Sequence, residues 1–191
     1  MKNKIIYADI FEVKVTEKTT WLFIKLINYQ NIVGWGEATL QGKSKEIFLI
    51  KDQIFELILN KNFTSPKDLK LNLPFQNIVQ ASISSSIMQC LWDIQGKVEN
   101  KTISSIFGRK NNLIQTYANF NRSTYDRSLN GIKLKALEVL KDGYEFIKFA
   151  PFDEVEPSMK TSEISHAMQM GLKRINVIRD VLGPQINIMI D

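Results

Sequence analysis

Apolar and charged side chains alternate along "IFEVKV" (residues 10–15), the period of a strand with one wet face. "WLFIKLIN" and "VGWGEATL" follow, separated by the polar turn "NYQN", so the first forty residues predict a strand meander. Ser44 opens a predicted helix in which Ile47, Ile50, Ile54 and Leu57 recur at helical spacing. A proline-containing loop, "NFTSPKDLKLNLPF", leads to a second helix around "ASISSSIMQCLWDIQGK". There Ile83, Ile87, Leu91 and Ile94 make the apolar stripe, and Gly96 sits near the stop. Residues 1–112 therefore read as one α+β domain.

After "SIFGRKN" the rhythm changes. "LIQTYANF" is strand-like, "SLNGIKLKALEVLKDG" is a helix ending at Gly143, and "FIKFA" is a strand again. Residues 162–182 predict a long helix with Ile164, Met168, Gly171, Ile175, Ile178 and Leu182 on one side, stopped by Gly183 and Pro184. "QINIMID" is the third strand. Short apolar strands joined by helix-length crossovers call for a parallel sheet covered by helices.

The strand faces carry chemistry. In "FIKFA", Ile147 and Phe149 share the face the helices should cover, which turns Lys148 to the other side. In the last strand Ile186, Ile188 and Ile190 take the helix side, leaving Asn187, Met189 and Asp191 opposite. Two neighbouring strands thus aim a charge at one interior, which a second helix layer would bury at heavy cost. A barrel interior with a bound ion or ligand at its mouth removes the difficulty. Asp191 ends its strand at the carboxyl side, where barrel enzymes keep their chemistry. An apolar strand closing on Asp191 also reads as a polypeptide cut inside a larger fold, because domain ends are ordinarily loose and solvated.

Composition narrows the class. A hydrophobic content of 44% supports a real core, and the net charge of +5 is spread along the chain, so no nucleic-acid stripe is expected. No apolar run reaches the roughly 18 residues of a membrane span, and Asp9 and Glu12 break the amino-terminal apolar run before it resembles a signal peptide. The single Cys90 excludes an internal disulfide and fits a cytoplasmic protein; in its helix it reads as a small buried hydrophobe.

Five segments in order resemble the enolase superfamily, in its mandelate racemase and muconate-lactonising enzyme branch. "GWGEAT" (Gly34 to Thr39) is similar to the branch's capping-domain strand motif, and "LWDIQGK" (Leu91 to Lys97) to its characteristic helix, with Ala81 and Ser85 at the usual upstream positions. "SIFGRKNNLIQTYAN" resembles the passage from cap to barrel, "GYEFIKFAPF" the second barrel strand and "GPQINIMID" the third.

The resemblance implies an α+β capping domain over residues 1–112. Residues 113–191 would then begin a (β/α) TIM-type barrel domain, truncated after its third strand. A full barrel takes about 250 residues and eight strand–helix units, so the chain reads as the amino-terminal half of an enzyme. Asp191 is then implied as the first of three acidic Mg²⁺ ligands. The implied reaction abstracts the proton alpha to a carboxylate, which needs concentrated positive charge on the carboxylate oxygens. Many members carry Lys-x-Lys on the second strand with the second lysine as base, but here the run is Lys148-Phe149-Ala150. Alanine takes no proton. The base would come from beyond residue 191, for instance a histidine paired with an aspartate, and dehydration of a sugar acid to a 2-keto-3-deoxy acid is favoured. Met88 and Arg109 also depart from the branch's usual residues, at scaffold positions.

Each candidate has a plainer reading. Lys148, the catalytic candidate, either contacts a substrate carboxylate or pairs with an acid on a neighbouring strand. Asn119, Asn121 and Arg122 either reach substrate hydroxyls or a carboxylate, or are ordinary loop polarity. Thr19 and Thr20 belong to "TEKTT", a substrate-binding lid (Thr16 to Thr20) or an ordinary hairpin tip; the other expected lid segment is Leu40 to Ser44. Trp92, Asp93 and His166 read as structural or exposed. A small carboxylic-acid substrate, Mg²⁺ as cofactor and a homo-oligomer at full length are expected, without nucleic-acid or membrane partners. The alternatives are a racemase or epimerase of the same chemistry, and a truncated, non-catalytic remnant.

Overall fold

The computed structural model describes residues 3–17, 19–109, 113–121 and 124–191. Two units are distinguished, Met1–Lys110 and Asn111–Asp191; residues 110–112, where the expected boundary falls, lie outside the described residues.

In the first unit β1 (Asn3–Thr16), β2 (Thr19–Asn28) and β3 (Val33–Glu37) form the predicted antiparallel meander. The turn between β2 and β3 is organised by buried Asn28, whose Oδ1 accepts the N–H groups of Gln30 and Ile32 at 3.0 and 2.8 Å. Ile10, Leu22, Ile24 and Leu26 point into the core, against α1 (Ser44–Glu56) and α3 (Ile78–Glu99). Phe11, Val13 and Val15 alternate the other way and stay 40–45% exposed. The apolar side of "IFEVKV" is thus a wet one, because the strand's parity is set by Ile10 and one residue of offset reverses every side chain.

Two short elements lie outside the predicted pattern. β4 (Asn62–Phe63) pairs with the start of β1, and α2 (Pro66–Lys70) follows it. The signal for α2 is legible in "SPKD": Ser65 caps, Pro66 occupies the first turn, and Asp68 Oδ2 accepts the Ser65 N–H at 3.0 Å. Helix α3 also runs past Gly96 to Glu99, where Asn100 caps it in the left-handed conformation at φ 51°. Gly96 is there for clearance, since a Cβ would lie 2.9 Å from the Lys101 carbonyl oxygen. A single turn, α4 (Ile103–Ile106), ends the unit, its Phe107 ring 4.7 Å from Trp92.

The second unit contains β5 (Ala118–Asn119), α5 (Leu129–Lys141), β6 (Phe146–Phe149), α6 (Thr161–Leu182) and β7 (Asn187–Ile190). The sheet is parallel in the order β5-β6-β7, as its crossovers require. Of "LIQTYANF" only Ala118–Asn119 pairs as strand, against Ile147 and Lys148 of β6. Ile147 and Phe149 are buried against Ile132, Ala136 and Val139 of α5 and Ile178 and Leu182 of α6. Ile186 and Ile188 join this core, whereas Ile190 remains 46% exposed on the edge strand.

Candidate active site

The register of the parallel sheet places Asn119 opposite Lys148 and Lys148 opposite Met189. Registered neighbours point the same way and faces alternate along a strand. Asn119, Lys148 and Asp191 therefore share the face turned away from the helices. Lys148 Nζ lies 2.9 Å from Asp191 Oδ2. The ladder continues past β7, with the Asp191 N–H donating to the Phe149 carbonyl at 3.0 Å, so Asp191 is held at the strand end. The hydrogen bond to Asp191, and then the Asp191 charge, keep the Lys148 ammonium above the usual lysine range. Both side chains are partly wet, 31% and 54% exposed, so the pair adds little to stability and matters for placement.

Around this pair the strand ends are tied together. Asn119 Oδ1 accepts the Asn121 N–H at 3.0 Å, and Asn121 Oδ1 accepts the Ala150 N–H at 2.7 Å. The Ala150 carbonyl in turn accepts from Arg127 Nη2, and Arg127 makes two hydrogen bonds to Asp153, of 2.7 and 2.6 Å. Its guanidinium lies 4.8 Å from the Phe149 ring centroid. Buried Arg174 completes the arrangement, bound to Glu154 through two nitrogens and donating to the Pro151 and Arg127 carbonyls at 2.7 and 2.9 Å.

Arg127, Asp153, Glu154 and Arg174 escape a reading based on apolar periodicity. Two signals for them exist in the sequence. Arg174 stands three residues after Gly171 and four before Ile178, on the buried stripe, and an acidic pair, Asp153-Glu154, closely follows β6. Arg122 falls outside the described residues.

In the first unit the recognisable motifs meet as neighbours. β3 is a sheet edge, and helix α3 satisfies that edge with side chains: Gln89 Oε1 accepts the Glu37 N–H and Asp93 Oδ2 the Trp35 N–H, both at 3.0 Å, while Lys97 Nζ donates to the Val33 carbonyl at 2.8 Å. Helical steps of four residues advance about 6.0 Å and strand steps of two about 6.6 Å, so the two series stay in phase. Gly34 and Gly36 permit this approach, since a Cβ on either would sit 2.2 or 2.1 Å from a carbonyl oxygen of α3. "GWGEAT" and "LWDIQGK" are thus two halves of one joint.

Residues 10–108 match the family described as mandelate racemase / muconate lactonizing enzyme, N-terminal domain. The chain belongs to this family. Its fold is also that of solved enolase-superfamily proteins. A protein from Mesorhizobium loti, provisionally named a dehydratase, is 25% identical, with a TM-score of 0.82 over 98% of this chain and 52% of its own. An enolase-superfamily member from Salmonella Typhimurium is 20% identical, with a TM-score of 0.80 over 97% and 54%. A protein from Agrobacterium radiobacter, provisionally named a galactarate dehydratase and solved with sodium and L-malate, is 18% identical, with a TM-score of 0.79 over 98% and 48%. The chain spans about half the length of these proteins. Its first unit is the superfamily's α+β capping domain, and the parallel sheet of the second begins the barrel.

Members of the superfamily bind Mg²⁺, a hard cation served by oxygen ligands. The Asp191 carboxylate fits one such ligand in donor type and in its place at a strand end. Among the described residues no three His, Cys, Asp or Glu groups converge to hold an ion. Thr19 and Thr20 lie at the half-buried base of the β1–β2 hairpin tip. His166 is exposed on α6, and Asp93 serves the strand joint. No described helix is long and apolar enough to cross a membrane.

Proposed function

We propose that the chain is the amino-terminal part of a cytoplasmic, Mg²⁺-dependent lyase that dehydrates a sugar acid to a 2-keto-3-deoxy acid. The observation that carries this reading is the Lys148–Asp191 pair, 2.9 Å apart at adjacent parallel strand ends and on the face away from the helices. In this reading Asp191 is one ligand of the ion, which supplies positive charge to the substrate carboxylate as the alpha proton leaves. Lys148 contributes a second cation beside the same carboxylate and is an electrostatic partner rather than a base. Ala150 has no proton-accepting group, so the base comes from another barrel strand. Asn119 and Asn121 line the strand ends; the Asn121 amide oxygen is engaged by Ala150, so its role is chiefly to hold the loop. Thr19, Thr20 and Arg122 are assigned to substrate contact, the threonines through a lid over the barrel mouth.

The test is to incubate the full-length polypeptide with a panel of aldonic and aldaric acids, with and without Mg²⁺, and to assay 2-keto-3-deoxy products. Magnesium-dependent product that is lost in Asp191→Asn, with folding intact, supports the reading. Epimerised substrate without loss of water assigns a racemase or epimerase instead, and no turnover of any acid assigns a non-catalytic protein.

A further inference from the structure

Just past Lys148 the parallel sheet loses its backbone ladder on one side. Along β6 the peptide groups turn alternately to the two neighbouring strands. The Lys148 carbonyl accepts the Phe120 N–H at 2.9 Å on the β5 side, and the Phe149 carbonyl accepts the Asp191 N–H at 3.0 Å on the β7 side. The next rung toward β5 belongs to Ala150, and two side chains take it. Asn121 Oδ1 accepts the Ala150 N–H at 2.7 Å, and Arg127 Nη2 donates to the Ala150 carbonyl.

We propose that Arg127 is a positioning residue: it closes the last rung of β6 and thereby holds Lys148, two residues back on the same strand, where its ammonium meets the substrate carboxylate. This rests on Lys148 being the cation beside that carboxylate. Three observations carry the role of Arg127. The first is that Arg127 is itself held at both ends. Its Nε and Nη2 donate to Asp153 at 2.7 and 2.6 Å, and its own carbonyl accepts from Arg174 Nε at 2.9 Å. The second is where its guanidinium lies, 4.8 Å from the ring centroid of buried Phe149, the residue between Lys148 and Ala150. Arg127 thus grips β6 by a ring and by a carbonyl, both on residues after Lys148, and acts on Lys148 through the strand. The third is the modest exposure of the pair that does this. The Arg127 and Asp153 side chains are 24% and 39% exposed, so water screens their attraction and the pair adds little to global stability. Its effect is local. A lysine charge is placed only as well as its backbone, and a displacement of about 1 Å costs up to about a hundredfold in rate.

The test is a double-mutant cycle on the full-length polypeptide with Mg²⁺, using whichever aldonic or aldaric acid the parent turns over best. Arg127→Met and Lys148→Met should each lower kcat/KM at least about tenfold, and the double variant should be no worse than Lys148→Met alone. Both single variants should raise KM. A loss of folded enzyme lowers kcat and leaves KM in place, so the raised KM is a change that a purely structural role does not produce. Arg127→Lys keeps a donor without the fork and should recover part of the loss. If Arg127→Met does not fold, Asp153→Ala, which frees the guanidinium, takes its place in the cycle with the same expected result. Losses that multiply in the double variant overturn the proposal, as does an unchanged KM in folded Arg127→Met; both leave the dehydratase reading standing. A fully active Lys148→Met overturns the role of Lys148 and this proposal with it. A parent that turns over no acid overturns the dehydratase reading itself, and the proposal falls with it.

Discussion

Arg174 and Glu154 are joined by two hydrogen bonds, Nη1 to Oε2 at 2.8 Å and Nη2 to Oε1 at 2.7 Å, with the Arg174 side chain 6% exposed and that of Glu154 40%. A buried guanidinium is costly unless its donors are used. Here further donors go to the Pro151 and Arg127 carbonyls, so one side chain on α6 fixes both the loop after β6 and the approach to α5. Gly171, one turn earlier on α6, lets Phe152 of the same loop pack against the helix, where a Cβ would stand 2.2 Å from its ring.

The two partners should not be equivalent. Arg174→Met removes the hydrogen bonds to Glu154 and leaves two backbone carbonyls without their donor, for an expected loss of about 3 kcal/mol. Glu154→Gln keeps one acceptor for Arg174, and the partly exposed site is screened by water, so about 1 kcal/mol is expected. Urea denaturation of the two variants beside the parent checks the order; equal losses would show that the pair, not the carbonyl contacts, carries the stabilisation.

The same pair predicts a pH dependence. The hydrogen bonds from Arg174 hold the Glu154 carboxyl below its usual 4.5. A carboxylate with a lowered folded-state pKa stabilises the fold above its unfolded value and loses that contribution as pH falls through the folded one. The stability gap between the parent and Glu154→Gln should therefore be constant at neutral pH and close on acidification below about 4.5. Denaturation curves of both proteins at a series of pH values measure it. A gap unchanged in acid would mean that the Glu154→Gln substitution costs stability through shape and not through charge.

How far these features were legible depends on which force wrote them. Buried apolar stripes such as Ile83, Ile87, Leu91 and Ile94, and the helix side of β6, follow from periodicity because water enforces it. The Lys148 and Asp191 faces followed from the same alternation and the cost of burying charge. Arg174 escaped because a buried cation is set by the carbonyls that receive it, and those come from segments far apart in sequence. The outward side of Phe11 and Val13 escaped because alternation gives two faces without saying which is inside; Ile10 decides it.

Gly34 and Gly36 should resist any side chain. Each Cβ would fall within 2.2 Å of a helix-backbone oxygen, of Cys90 and Ser86 respectively, and backbone cannot swing aside as a side chain can. Gly34→Ala and Gly36→Ala are each expected to cost about 2 kcal/mol through overpacking. The melting temperature of each variant tests this, and an unchanged midpoint would mean that β3 moves freely on α3.

Cys90 should be inert while the fold is intact. Its thiol is fully buried and donates to the Ile24 carbonyl at 3.3 Å; burial, assisted by the nearby Asp93 charge, pushes its pKa far above the usual thiol range. Thiolate is the reactive species, so an aromatic disulfide reagent should leave this thiol untouched in native protein and titrate it in denaturant. Rapid native labelling of Cys90 would show that α3 opens from β2 on the timescale of the assay.

Asp93 separates scaffold from catalysis most directly. Its Oδ2 accepts both the Trp35 N–H at 3.0 Å and Lys97 Nζ at 2.8 Å, and Lys97 carries the joint on to the Val33 carbonyl. Asp93→Ala leaves the Trp35 N–H and the Lys97 ammonium without this acceptor, an expected loss of about 1–2 kcal/mol. Asp93→Asn retains an oxygen at the same reach, so it should recover most of the Trp35 hydrogen bond and lose only the charge shared with Lys97, which is partly exposed and screened. Denaturation midpoints should therefore rank parent, then Asp93→Asn, then Asp93→Ala, with Lys97→Met close to Asp93→Asn. A catalytic carboxylate would behave otherwise: Asp93→Asn would be as damaging as Asp93→Ala to turnover while leaving the midpoint untouched. Measuring both quantities on the full-length polypeptide distinguishes the roles, and loss of turnover in a fully stable Asp93→Asn variant would move Asp93 from the joint to the chemistry.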